Sequence, residues 1–118
     1  MNGVAVRFLN RNEILPRLME RANQLLASNP DILEVSLFGS LARGNYAPGS
    51  DADIYILLGK DSRRFIDRIP EFLDYFSDTG LPIEVFPYTI EEMTEMKDGG
   101  FMKALHKEKM ILAARPGL

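Results

Sequence analysis

The chain has 118 residues, of which 46% are hydrophobic and 26% charged, a balance typical of one folded domain with its own core. The formal net charge of −3 argues against bulk binding of nucleic acid, because phosphate contacts usually need a positive protein face. There is no cysteine and one histidine, His106, so disulfides and thiolate or imidazole metal clusters are excluded. A metal site would have to use carboxylate oxygens.

No segment approaches the roughly 18 consecutive apolar residues that a membrane span needs. The first residues, MNGVAVRFLNRNE, lack the apolar stretch of a secretory signal. We therefore expect a cytoplasmic protein that has no membrane partner and forms one domain over residues 1–118.

The first elements are predicted to be a helix and a strand. Asn10 or Asn12 can cap a helix whose apolar residues recur at helical spacing and which ends near residues 28–30. Residues 33–38 then alternate between two faces, which predicts a strand running into Gly39.

A second strand is predicted after the following loop. It places Ile54 and Ile56 on one face and Asp51, Asp53 and Tyr55 on the other. The two aspartates therefore point the same way.

The next predicted elements are a helix and a third strand. Asp61 or Ser62 is expected to cap a helix with apolar residues between positions 65 and 76, which Pro70 kinks or restarts. The segment PIEVFPY, residues 82–88, predicts a strand on which Glu84 faces away from its apolar neighbours.

The last third of the chain is predicted to be mainly helical. Thr89 and Glu92 form the pattern of a capping box, and the helix that they open ends at the glycine pair 99–100. A further helix covers residues 101–105, and residues 109–114 form a strand or an apolar tail. The order of elements predicts an α/β (α+β) domain with a small mixed sheet flanked by helices.

The loop between the first two strands concentrates groups that bind anions and cations. Asp51 and Asp53 would emerge on one face about 7 Å apart, close enough to bind divalent cations together. Gly39 allows backbone N–H groups to approach a ligand, and Ser40 adds a hydroxyl where a short helix over residues 40–43 could begin. Phosphates and divalent cations in one pocket imply a nucleoside triphosphate with its metal.

Each of these features also has a purely structural explanation. A lone Asp-x-Asp is most often the start of a strand or a turn, and a lone Gly-Ser is an ordinary loop. Their conjunction with Arg43 and Ser50, between two strand-like apolar runs, is far less common.

Residues 39–57, GSLARGNYAPGSDADIYIL, closely resemble the signature G-S-x-A-R-G followed by S-D-x-D and apolar residues. This signature belongs to the DNA polymerase β-like nucleotidyltransferase superfamily, and the short chain resembles its minimal nucleotidyltransferase (MNT) branch. The resemblance covers essentially the whole chain and implies the polymerase β-like nucleotidyltransferase fold.

The resemblance also implies roles for individual residues. Asp51 and Asp53 would hold one or two Mg²⁺ ions, and Glu84 would be the third catalytic and metal-binding carboxylate on the next central strand. The residues implied in nucleotide binding are Gly39, Ser40, Arg43 and Ser50, with the first two on the β- and γ-phosphates.

Two of these residues leave alternatives open. The family usually has aspartate where this chain has Glu84, and a displacement of about 1 Å at a catalytic position can cost about 10²-fold in rate. Taken alone, Glu84 could equally be a solvent-facing strand residue. Arg43 could contact a phosphate or brace the loop through a carboxylate, with the bracing role slightly favoured.

Other conspicuous residues favour structural roles. His106 is expected to be a satisfied or exposed histidine, Tyr46 to fill its turn, and the phenylalanines and methionines at helical spacing to be core. A solvated helix face is the favoured interpretation of the four basic residues Lys60, Arg63, Arg64 and Arg68.

These implications predict a Mg²⁺-dependent nucleotidyltransferase. A hydroxyl would attack the α-phosphorus of ATP or another NTP in line, and pyrophosphate would leave. Members of the MNT branch commonly occur beside a HEPN-domain protein in a toxin–antitoxin pair, in which the transferase is the antitoxin and can add AMP to a tyrosine of the HEPN ribonuclease. The resemblance therefore implies a HEPN-domain partner, and it leaves the base preference and a homo-oligomer open.

Two alternatives remain from the sequence. The chain could be a catalytically weak or inactive subunit that binds nucleotide or partner and neutralises the partner by contact. Transfer to a small molecule such as an antibiotic is disfavoured, because larger relatives use an extra domain to hold that acceptor.

Overall fold

The structure is a computed structural model that describes residues 10–47 and 49–116. Its elements in chain order are α1 Arg11–Ser28, β1 Ile32–Phe38, α2 Ser40–Arg43, β2 Ala52–Leu58, α3 Phe65–Asp74, β3 Ile83–Thr89, α4 Ile90–Met96, α5 Gly100–Glu108 and β4 Met110–Ala114. None of the helices in these ranges is long and apolar enough to cross a membrane.

The four strands form one mixed sheet in the order β3-β2-β1-β4. β1 is antiparallel to both β2 and β4, whereas β2 and β3 are parallel neighbours joined through α3. The predicted mixed sheet and the predicted order of elements are confirmed. The last segment, predicted to be either a strand or an apolar tail, is the strand β4.

The ends of α1 follow the local sequence signals. The side chain of Asn10 accepts a hydrogen bond from the backbone N–H of Glu13 at 3.0 Å, so Asn10 rather than Asn12 is the cap. The helix ends at Ser28, and its inward face buries Ile14, Leu18, Ala22 and Leu25.

Both faces of the sheet are covered, but unequally. The helices α1 and α3 pack on one face and form the main core with the strands. A smaller cluster on the other face contains Phe38, Tyr55, Leu57, Met102 and Leu105, so it relies on the short helices α4 and α5. The central strands β1 and β2 are therefore buried along nearly their whole length.

Burial of the second face encloses polar residues of β1. Glu34 and Ser36 are buried, and their side chains are joined by a 2.6 Å hydrogen bond that the serine donates. Lys109 donates to the same carboxylate oxygen at 2.6 Å. The negative charge is thus paired where the alternation alone would place a solvated face.

The predicted cap of α3 is wrong. The helix begins at Phe65, and its cap residue, Arg64, makes no side-chain capping bond. The carboxylate of Asp61 accepts hydrogen bonds from the backbone and the guanidinium of Arg63 instead. Pro70 lies inside the helix.

The interpretation of the basic residues of this segment as one solvated face is wrong for Arg68. Arg68 is buried, whereas Lys60, Arg63 and Arg64 are exposed. Arg68 donates to the carboxylate of Glu92 at 2.6 Å and 3.1 Å and to the carbonyl of Pro87 at 3.0 Å. It therefore links α3 to the junction of β3 and α4.

The capping box at the start of α4 is confirmed. The hydroxyl of Thr89 accepts from the N–H of Glu92 at 3.2 Å, and the carboxylate of Glu92 accepts from the N–H of Thr89 at 2.9 Å. Glu92 thus serves both the cap and the buried arginine.

The assignment of every helical phenylalanine and methionine to the core is wrong for two residues. Met19 is 45% exposed and Phe101 is 41% exposed. Phe101 lies on the face that α4 and α5 cover only in part, which explains why its ring reaches solvent.

Candidate active site

The register of the sheet places two of the predicted carboxylates beside each other. Asp53 of β2 pairs with Glu84 of β3, and neighbouring strands lie about 4.8 Å apart. Paired residues project to the same face, so the two side chains share one side of the sheet. Asp51 immediately precedes β2 and is exposed.

Gly39 lies directly against this pair. Phe38, the last residue of β1, pairs with Asp53, and Gly39 then turns the chain with φ +78°. A Cβ at position 39 would overlap the Oδ2 atom of Asp53, so any other residue would displace that carboxylate in addition to straining the backbone. Ser40, the first residue of α2, directly follows this contact in the chain.

The electrostatics of Asp53 show that the carboxylates influence one another. Burial is the largest cause of a rise in its pKa to about 6, and repulsion from Glu84 and then Asp51 adds to it. Arg43 acts in the opposite direction. A bound cation would relieve the repulsion that raises this pKa.

These carboxylates suit a hard divalent cation by chemistry, since all their donors are oxygens. They do not form a closed site: within residues 10–47 and 49–116, no group of three or more Asp, Glu, His or Cys residues is arranged so that it could hold a metal ion. Asp51 and Glu84 are both exposed, whereas Asp53 is half-buried, and Glu84 has one methylene more than aspartate.

Arg43 contacts a carboxylate that the sequence did not single out. Its Nη1 atom donates to the Oε1 atom of Glu108 at 3.0 Å, and the N–H of Gly39 donates to the same oxygen at 3.3 Å. The contact matches the bracing role that was one of the two alternatives for Arg43. No local sequence signal marks Glu108, because its partners are 65 and 69 residues away.

Ser50 closes the turn before β2. Its hydroxyl accepts from the N–H of Ala47 at 2.9 Å, and its own N–H donates to the carbonyl of Ala47 at 3.0 Å. Nucleotide contacts of Ser50 remain a prediction, as they do for Gly39, Ser40 and Arg43.

Tyr46 and His106 have the structural roles that were expected. The Tyr46 hydroxyl accepts from the N–H of Arg11 at 3.0 Å and ties the loop to α1. His106 is exposed, and its ring meets the edge of Tyr55 with centroids 6.0 Å apart. Partial burial, followed by the charge of Lys109, lowers the pKa of His106.

Three aromatic rings lie beside the carboxylates. Phe38 precedes Gly39, Phe86 follows Glu84 by two residues on the same face, and Phe101 completes the group from α5. Their centroids are 5.1 Å to 6.0 Å apart. Phe38 is buried and Phe86 half-buried, so the apolar surface that this group offers to solvent is mainly that of Phe101, which is 41% exposed.

Comparison with known proteins gives a family match and structural matches. The profile of the family described as "Nucleotidyltransferase domain" matches residues 17–112. A Sulfolobus solfataricus protein assigned as a nucleotidyltransferase superposes with a TM-score of 0.66 at 23% identity, covering 91% of this chain and 86% of the other. No match is found among curated proteins.

Two further solved structures are toxin–antitoxins. One was crystallised with AMP-PNP and gives a TM-score of 0.53 at 20% identity. The other is a mutant MntA–HpeT toxin–antitoxin, with a TM-score of 0.52 at 18% identity. In both cases 92% of this chain and 76% of the other are covered. At these identities the matches establish the fold, and the predicted polymerase β-like nucleotidyltransferase fold is confirmed.

Proposed function

Since the chain belongs to the nucleotidyltransferase domain family, we propose that it transfers a nucleoside monophosphate, AMP from ATP in the first instance, to a hydroxyl group. The observation that carries the proposal is the contact of Gly39 with Asp53, which in turn pairs with Glu84. This contact supports the proposal, because a glycine bend of the kind that approaches phosphates lies against a carboxylate that could bind the metal of a triphosphate.

The proposed roles follow the positions of the residues. Asp51, Asp53 and Glu84 would hold one or two Mg²⁺ ions, which when bound would offset the charge of the triphosphate and of the developing transition state. Gly39 and Ser40 would contact the β- and γ-phosphates, and Arg43 and Ser50 of the same loop would also take part in nucleotide binding.

The proposed transfer is a single displacement that forms no covalent intermediate with the enzyme. The acceptor oxygen forms a bond to the α-phosphorus, the bond from that phosphorus to the bridging oxygen breaks, and pyrophosphate leaves. The hydroxyl proton passes to a carboxylate, for which Glu84 is the candidate because its side chain is exposed beside Asp53. Most of the acceleration would come from positioning and charge stabilisation.

For the acceptor we propose a tyrosine of a partner HEPN-domain toxin, which would make this chain an antitoxin of the MNT branch. The support is the fold shared with two toxin–antitoxin structures, one of them with AMP-PNP, together with the loop signature of residues 39–57. The exposed ring of Phe101, packed on Phe38 and Phe86 at the Glu84 face of the sheet, suits an apolar partner residue close to the acceptor.

A second candidate function is neutralisation of the partner by contact, with weak or absent transfer. Two observations favour it: Glu84 replaces the usual aspartate, and the three carboxylates do not form a closed metal site. Both candidates require a partner protein, and they differ in whether the partner is covalently modified.

The deciding experiment is intact mass spectrometry of the HEPN-domain partner co-expressed with this chain. Transfer predicts an AMP-sized addition that disappears with Asp53→Asn and persists with Glu95→Gln, a control that removes an exposed carboxylate from α4. An unmodified partner that is still neutralised would establish the contact mechanism. If Mg²⁺-ATP fails to raise the melting temperature of the purified chain, nucleotide binding itself is contradicted.

A further inference from the structure

A single carboxylate links the two ends of α2. Glu108, the last residue of α5, accepts from the N–H of Gly39 at 3.3 Å and from Nη1 of Arg43 at 3.0 Å, both through Oε1. Gly39 precedes the first residue of α2 and Arg43 is its last. One carboxylate oxygen therefore contacts the residues at both ends of this short helix.

The sheet register explains why Glu108 reaches this position. β1 and β4 are antiparallel and pair Leu37 with Met110, so continuation of that register would place Gly39 opposite residue 108. Residue 108 is still helical and offers Gly39 its side-chain oxygen where a strand would offer a backbone carbonyl. The hydrogen bond that ends the pairing of β1 with β4 is thus accepted by a side chain instead of a backbone carbonyl.

The bend has two kinds of support besides Glu108: Arg11 donates to the carbonyls of Leu41 at 2.9 Å and Ala42 at 3.3 Å, and Leu41 is buried in the main core. These contacts hold the middle of α2, whereas Glu108 holds its two ends. An isolated helix of four residues is far too short to be stable by itself.

Gly39 has a positive φ and lies against Asp53, so a small rotation of its peptide would change the distance between the bend and the carboxylates. Glu108 and Arg43 are 25% and 45% exposed, so the pair can be removed without opening the hydrophobic core.

We propose that Glu108 is a positioning residue that holds the bend from Gly39 to Arg43 at the distance from Asp53 that nucleotide binding requires. The inference rests on the proposed nucleotidyl transfer and adds a residue outside the loop signature. Glu108 acts through Gly39 and Arg43.

The first test compares amide hydrogen exchange in the nucleotide-free wild type, Glu108→Ala and the control Glu95→Gln. Glu108→Ala should accelerate exchange in residues 38–44 and leave the melting temperature within about 2 °C of wild type, as the control does. Unchanged exchange in residues 38–44 would overturn the inference. This measurement does not depend on any ligand.

The second test measures the Kd for Mg²⁺-ATP in the same proteins and in Glu108→Gln. Loss of the charged acceptor in Glu108→Ala should weaken binding about tenfold. Glu108→Gln retains an oxygen acceptor and should recover part of this loss. Tighter binding by Glu108→Ala would overturn the inference, because it would mean that the carboxylate competes with the triphosphate.

The two tests separate the inference from the proposed function. If the wild type binds no Mg²⁺-ATP, the proposed function fails, and the exchange comparison still decides whether Glu108 holds the bend. If the wild type binds and Glu108→Ala binds equally well, the proposed function stands and the positioning role is overturned.

Discussion

At the scale of single residues, the candidate site depends on close contacts that tolerate little change. Gly39 is restricted in two independent ways: its φ of +78° disfavours other residues, and the Asp53 carboxylate occupies the space of a side chain. Gly44, at the other end of α2, has φ +84° and open space around it. Gly39 combines its positive φ with ψ −159°, a region nearly restricted to glycine, whereas Gly44 has ψ 5° in the left-handed helical region. Gly39 is therefore the more restricted of the two in both backbone conformation and space.

We predict that Gly39→Ala destabilises the fold by more than Gly44→Ala and also abolishes binding of Mg²⁺-ATP. Gly44→Ala should cost about 1 kcal/mol, the usual cost of a positive φ in a residue with a Cβ. Gly39→Ala should cost more, because it adds displacement of Asp53 and because the φ and ψ of Gly39 are nearly restricted to glycine. Urea unfolding of both variants measures the difference, and equal losses would contradict the close contact.

We predict that Asp53→Asn stabilises the metal-free protein at pH 8. The pKa of Asp53 is about 6 in the fold, above its ordinary value of 3.8, so the folded state holds the proton more tightly than the unfolded state. The wild type therefore loses stability as the pH rises from about 4 to about 6, and the loss is complete above that range. The variant avoids it, gaining about 1 kcal/mol or about 4 °C, a discounted value because the side chain is partly exposed.

Thermal melts in EDTA at pH 8 and pH 4 measure this effect. The difference between Asp53→Asn and wild type should be largest at pH 8 and small at pH 4. A variant that melts below wild type at pH 8 would show that the ionised carboxylate stabilises the fold, contrary to the repulsion from Glu84 and Asp51.

At the scale of elements, ion pairs differ according to how deeply they are buried. The pair of Arg68 and Glu92 connects α3 to α4, and the side chain of Arg68 is 3% exposed. Arg64 and Asp67 form a pair at the start of the same helix with side chains 81% and 48% exposed. The first pair is a connection between elements, and the second lies on the surface.

We predict that Arg68→Met costs about 3 kcal/mol, because it leaves the Glu92 carboxylate and the Pro87 carbonyl without their guanidinium partner. Arg64→Met should cost less than about 1 kcal/mol, as is usual for exposed pairs. Urea unfolding of the two variants is the measurement. Similar costs would show that the buried arginine does not connect the elements.

The same network predicts acid sensitivity. Hydrogen bonds from Arg68 and from the backbone N–H of Thr89 lower the pKa of the Glu92 carboxyl. Hydrogen bonds from Arg63 lower the pKa of the Asp61 carboxyl. A carboxyl with a depressed folded pKa stabilises the fold above its ordinary pKa, and this stabilisation is lost as the pH falls through the folded value. Stability should therefore decline below about pH 4, and the decline should be shallower in Arg68→Met, as measured by urea unfolding against pH.

At the scale of the whole molecule, local signals were sufficient for the elements and not for the contacts between them. The cap at Asn10 and the capping box at Thr89 and Glu92 depend on neighbours within three residues. The capping box is confirmed, and Asn10 is one of the two caps predicted for α1. Arg68 looked like part of a charged face because its partner Glu92 is 24 residues away. Glu108 gave no signal for the same reason.

The candidate site shows the same division. The loop signature identified Asp51, Asp53 and the Gly39 bend, and the alternation of PIEVFPY put Glu84 on a face opposite to Ile83 and Val85. The pairing of Asp53 with Glu84 required the parallel order of β2 and β3, which periodicity within a strand does not determine. Site residues from distant segments thus become neighbours only through topology.

The hydrogen bonds that Glu108 accepts from Gly39 and Arg43 also affect the order in which parts of the protein fold. During synthesis the signature loop is made long before residue 108, so Gly39 and Arg43 have no anchor until α5 and β4 reach the edge of β1. A nascent chain that has completed only the first two strands would carry every residue of the signature and the contacts of Arg11 with α2, but Gly39 and Arg43 would still lack their acceptor on Glu108. Readiness to bind nucleotide would then be a late event, acquired when the last strand docks.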